Sequence, residues 1–207
     1  MRNQALNATS QAALTPDTVL EGLLEGNKRF LNGSGEAVDN AALVSQTSGG
    51  QWPSAIVLSC IDSRVPVETV MDQQVGDIFV ARVAGNFVNV DILGSMEYAC
   101  KVAGSKLLMV LGHEGCGAVK AACDHVELGN ITDMLSKITP AVDAVPGEGD
   151  RSSAKTEFVN KVIDQNVYMT LDRIRKESPI LAEMEQSGEI KLVGAVYKTS
   201  TGAIELI

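Results

Sequence analysis

The chain has 207 residues, 45% of them apolar and 21% charged, with a net charge of −9. No basic stripe is available to neutralise phosphates, which excludes a nucleic-acid binder. No stretch reaches the roughly 18–20 apolar residues of a membrane span, which excludes a membrane protein of the helical kind. The expectation is one globular domain over residues 1–207 with a substantial core.

The elements follow in chain order. Residues 1–14 are rich in Ala, Asn, Gln and Ser and hold no apolar run of signal-peptide length, so a cytoplasmic protein is expected. Thr15 at the N-cap and Pro16 at the first helical position open a helix. Val19, Leu20, Leu23, Leu24 and Phe30 give it one apolar face, and Asn32-Gly33-Ser34-Gly35 ends it. Residues 1–35 are thus read as an N-terminal helical arm. Buried strands are predicted at 55–58, 77–82, 107–111 and 191–197, with a short last strand at 203–206. Helices are predicted over 90–103, from 115–117 to about 128, and over 154–176, with a loop at 146–153. Strands alternating with helices define the α/β class. The expected architecture is a mostly parallel central sheet, about four parallel strands plus an edge strand, flanked by helices.

Two short segments carry chemistry. Cys60-Ile61-Asp62-Ser63-Arg64 follows the first strand, and His113-Glu114-Gly115-Cys116 follows the third. In open α/β sheets, ligands bind outside the carboxyl ends of strands, where both segments fall. Cys60, His113 and Cys116 offer two thiolates and an imidazole, a set suited to one Zn²⁺ per chain. Glycines at 112, 115 and 117 are expected to let the backbone turn both His113 and Cys116 onto one point. Cys116 would also feel the positive end of the following helix, which favours its thiolate. Asp62 is the candidate fourth ligand, but Arg64 can grip the same carboxylate bidentately. With Asp62 on Arg64 the metal keeps an open position; with Asp62 on the metal the site is closed. Cys100 and Cys123 lie on apolar helix faces and are read as core packing rather than disulfide partners.

Cys-x-Asp-Ser-Arg followed by His-x-x-Cys resembles the β-class carbonic anhydrases. Gly76 to Val80, Arg82 to Asn86, Ser95 to Ala99, Gly112 to Ala118, and Gly194 to Tyr197 with Thr201-Gly202 are similar to further segments of that family. The resemblance implies zinc on Cys60, His113 and Cys116, an Asp62–Arg64 catalytic dyad, and reversible hydration of carbon dioxide to bicarbonate and a proton. It implies a substrate contact from Gln51, and apolar pocket walls from Phe79 and Tyr98 contributed across a dimer interface. It also implies a homodimer or tetramer, with the N-terminal arm wrapped on the partner. One departure stands out: Val57 replaces the tryptophan that some bacterial members combine with an arginine and a tyrosine, here Arg82 and Tyr197, in a second bicarbonate site. Two competing readings share the metal ligands. One is a hydrolase of carbon disulfide or carbonyl sulfide; the other is a non-catalytic zinc protein with a permanently closed site.

Overall fold

A computed structural model describes residues 3–35, 37–147 and 149–207. Its centre is a five-stranded sheet of β1 (Ala55–Ser59), β2 (Ile78–Arg82), β3 (Leu107–His113), β4 (Lys191–Tyr197) and β5 (Ile204–Leu206). The spatial order is β2-β1-β3-β4-β5; the first four strands are parallel and β5 is antiparallel to β4. β1 and β3 are buried along their whole length, as inner strands covered on both faces must be.

Alternation along these strands sorts the core. Ala55, Val57, Leu107, Met109 and Leu111 face one side and pack on α2 (Pro16–Asn32) and α4 (Val67–Val70). Ile56, Leu58, Leu108, Val110 and Leu192 face the other. They meet α5 (Val90–Glu97), α9 (Thr156–Glu177) and α10 (Pro179–Gln186). A third apolar cluster gathers α6 (Gly117–Cys123), α7 (Gly129–Leu135), α8 (Thr139–Ala144) and part of α9 beside Cys60 and Cys116.

The predicted strands all form, with ends shifted by at most two residues. The helices differ more. The segment 90–103 is α5 followed by a single π-helical turn at Tyr98–Val102, closed by the Ala103 N–H donating to Tyr98 O at 2.9 Å. The helix expected to run to 128 stops at Cys123, because His125 takes a left-handed φ of 52°. α3 (Asn40–Thr47), α4, α7, α8 and α10 were not foreseen. Of the described helices, none is long and apolar enough to cross a membrane.

The arm lies on its own chain. α1 (Ala8–Ala12) places the Gln11 amide in the interior, where Nε2 donates to Pro53 O and Ala103 O, each at 2.8 Å. On α2, Asn27 Nδ2 donates to Val70 O and Gly202 O at 2.9 Å, and its Oδ1 accepts from Ile204 N–H at 2.9 Å. Val19, Leu20 and Leu23 complete the contact. Buried amides need bonded partners, and here the chain's own backbone supplies them.

Candidate metal centre

The strand order creates the site. From β1 the chain moves to β2 on one side, then returns to β3 on the other, so the topological switch point lies between β1 and β3. Cys60 follows the last residue of β1, and His113 is the last residue of β3. Cys116 caps the start of α6. Among the described residues, Cys60, His113 and Cys116 form the one group whose ligand atoms all lie within 4.8 Å of each other. All three are buried.

Each ligand atom has a defined orientation. His113 Nδ1 lies 2.9 Å from Glu114 O, which fixes Nδ1 as the protonated nitrogen and leaves the Nε2 lone pair facing the cluster. Nε2 is buried without a hydrogen-bond partner among the described residues, as a metal ligand would be. The Cys60 and Cys116 sulfurs are 4.0 Å apart, close to the roughly 3.8 Å that two sulfurs keep on a tetrahedral ion with bonds of about 2.3 Å. A metal of this coordination therefore fits the residues present.

The two thiols share one proton. The bond from Cys116 is the largest influence on Cys60 and holds its pKa at about 4, with His113 and the Gly85 and Asp62 amides helping and burial opposing. The same sulfur–sulfur bond, reinforced by burial, raises Cys116 well above the ordinary thiol range. A cation between the sulfurs would displace that proton.

Glycine matters here at specific points. Of the three glycines in the third-strand turn, Gly115 alone adopts a left-handed φ, 64°. Gly112 has another role: a Cβ there would stand 2.9 Å from Val167 Cγ2, so its absence lets α9 approach β3. Gly85, in the loop after β2, has φ 82° and would drive a Cβ to 2.3 Å from Ile138 Cδ1; its N–H donates to Cys60 Sγ at 3.3 Å.

Asp62 borders the cluster without joining it. Arg64 grips it with Nε on Oδ1 at 2.9 Å and Nη2 on Oδ2 at 2.8 Å, and the Arg64 N–H adds a third bond to Oδ1 at 2.9 Å. Those bonds hold the carboxyl far below the usual carboxylate range. Asp62 Oδ2 lies 3.9 Å from His113 Nε2. Of the two arrangements left open by the sequence, this is the one with Asp62 on Arg64. Arg82 fixes the same loop from the end of β2, donating to Cys60 O at 2.8 Å and Asp62 O at 2.6 Å. Its register position opposite Ser59 was the available signal for that role.

The remaining predicted site residues lie elsewhere in the chain. Gln51 precedes β1, so a five-residue strand of roughly 16 Å separates it from Cys60. Phe79 pairs with Ile56 near the start of β2. Its ring meets Tyr98 edge-to-face, 6.2 Å between centroids. Both line an open cleft of about 590 Å³ with Ile56, Val90 and Gly94, and none of the metal-cluster residues lines it. Tyr98 is 53% exposed there.

A cysteine–histidine–cysteine cluster at the switch point of a mostly parallel sheet defines an α/β protein with a candidate metal site. Residues 55–204 match the family model for carbonic anhydrase. Carbonic anhydrase 2 of Mycobacterium tuberculosis is 34% identical over 196 residues, covering 90% of each chain. Two solved structures share the fold. A β-carbonic anhydrase of Aspergillus fumigatus has a TM-score of 0.72 at 21% identity, with 91% of this chain and 90% of that one covered. A tetrameric β-carbonic anhydrase of Sordaria macrospora has a TM-score of 0.71 at 21% identity, with 92% and 97% covered. The chain belongs to the carbonic anhydrase family, whose members are carbonate dehydratases, and it shares the fold of these β-class structures.

Proposed function

We propose that the chain is a zinc-dependent carbonic anhydrase in which Cys60, His113 and Cys116 hold the metal and Asp62 with Arg64 orients the reacting water. The observation that carries this reading is the pairing of a buried His113 Nε2 that faces the cluster with two sulfurs 4.0 Å apart, beside a carboxylate bonded to Arg64. A protein donor set of three leaves one tetrahedral position for water, the pattern of catalytic rather than structural zinc. Zinc, when bound, supplies Lewis acidity that brings the pKa of water down to about 7.

The chain's own residues do the rest. Asp62, ionised and clamped by Arg64, would accept a hydrogen bond from such a water and so orient it toward carbon dioxide. Arg64 fixes the carboxylate in one rotamer, so no reorganisation is needed during turnover. His113 and the buried sulfurs keep the metal side dry.

Carbon dioxide needs apolar walls and a donor. Phe79, Tyr98 and Gln51 have that character but stand at the opposite end of β1 and β2 from their own Cys60. The reading therefore takes the working unit as a homodimer or a tetramer, with a second copy's Phe79, Tyr98 and Gln51 completing each pocket. Exposed Val90 and Val102 beside Tyr98 support that face as the contact. Four free, buried cysteines suit a reducing compartment, and the cytoplasm is the proposed location. Stopped-flow carbon dioxide hydration, with and without a zinc chelator, tests the whole reading. Turnover of carbonyl sulfide but not carbon dioxide would overturn it.

A further inference from the structure

α9 carries a polar interruption in its buried stripe. Val159, Val162, Ile163, Val167, Leu171 and Ile174 face the core, and Asn166 and Thr170 lie among them, 3% and 2% exposed. The two polar residues are one helical turn apart. A buried amide destabilises a fold unless it is bonded, so what it bonds to is informative. Asn166 Nδ2 donates to Gly85 O at 2.8 Å, and Thr170 Oγ1 reaches Asn86 O at the longer distance of 3.5 Å. Gly85 in turn gives its N–H to the Cys60 sulfur at 3.3 Å. One residue is thus held on both sides, by α9 through its carbonyl and by the ligand sulfur through its amide. Its left-handed φ and the closeness of Ile138 reserve the position for glycine.

We propose that Asn166 is a positioning residue of the metal centre: by fixing the Gly85 carbonyl it aims the Gly85 N–H at Cys60 Sγ and draws charge out of that ligand. The proposal rests on the reading of Cys60, His113 and Cys116 as the metal's ligands. Two thiolates push more electron density onto a cation than two imidazoles would, which opposes acidification of water at the open position. An N–H bond to one thiolate offsets part of that donation. Groups that bond to ligands in this way commonly change metal affinity or activity by about 10–100-fold when removed. Asn166 sits two residues of contact away from the metal, so it acts only through Gly85 and Cys60.

Cobalt(II) in place of zinc gives the test a readout other than activity. In the parent protein, one cobalt per chain with sulfur-to-metal charge-transfer absorption is expected; absence of that absorption overturns the ligand reading itself. In cobalt-loaded Asn166→Ala the absorption should move to lower energy, because Cys60 becomes the richer donor. Zinc release from the same variant to a chromogenic chelator should quicken about tenfold. Thr170→Val removes the longer bond and should leave the band in place and the release rate within about twofold of the parent. An unmoved band in a folded Asn166→Ala protein overturns the proposal, as does an equal shift in Thr170→Val. Should Asn166→Ala fail to fold, the unmodified protein decides. Loaded with NMR-active cadmium, it should show scalar coupling between the metal and the Gly85 amide proton, and absence of that coupling overturns the proposal.

Discussion

Asp62 and His113 approach within 3.9 Å, Oδ2 to Nε2, while Arg64 holds both oxygens of the same carboxylate. The carboxylate thus stands at the lip of the metal cluster, near enough to meet a water there and restrained from entering.

Arg64→Ala releases that restraint. Zinc content, measured by atomic emission, should stay at the parent value, since Arg64 bonds to Asp62 and not to any of the three ligands. Carbon dioxide hydration should fall by about a hundredfold or more, the usual penalty for a reacting group misplaced by an ångström. Full activity would remove Asp62 from the mechanism.

Zinc uptake should release a proton. The bond between the two sulfurs lowers Cys60 and, with burial, raises Cys116, so the pair retains a proton near neutral pH. Binding must expel that proton, so affinity rises with pH, by about tenfold per unit around neutrality. Calorimetry in two buffers of different ionisation enthalpy counts the proton. A pH-independent affinity would mean that the thiols do not bind the metal.

Gly85→Ala should destabilise the metal-free protein by roughly 2–3 kcal/mol, from a methyl group forced against Ile138 in a backbone conformation that alanine resists. Denaturant unfolding of the chelated protein reads this directly. An unchanged midpoint would show that the loop relaxes freely.

Val90 and Val102 are 79% and 71% exposed, on the face that carries Tyr98. The double variant Val90→Asp, Val102→Asp should sediment as a monomer and lose most hydration activity while keeping its zinc. An active monomer would show that one chain completes its own pocket.

Much of this was legible in the sequence because the two informative periodicities are strong. The continuous apolar runs of β1 and β3 announce strands buried on both faces, and their ends carry the ligands. Asp62 and Arg64 sit two residues apart, so their pairing was local and open to inference. The short helices were less visible. α7 and α8 span seven and six residues, too few for a helical period to show. α10 did leave a signal, Ser178 at the N-cap with Pro179 behind it. Asn166 and Thr170 interrupt an apolar stripe, but their partners at 85 and 86 lie some eighty positions away, and only the packed fold brings them together.

Cys60 and Cys116 are 56 positions apart, and their sulfurs meet only because Ser59 lies opposite Leu111 in the β1–β3 ladder. A slip of one residue between those strands would turn the first cysteine toward the other face of the sheet. The cluster is therefore a gauge of assembly. Given excess metal, chains whose two central strands pair out of step would take up less than the full complement, so metal content would report on correct folding without depending on turnover.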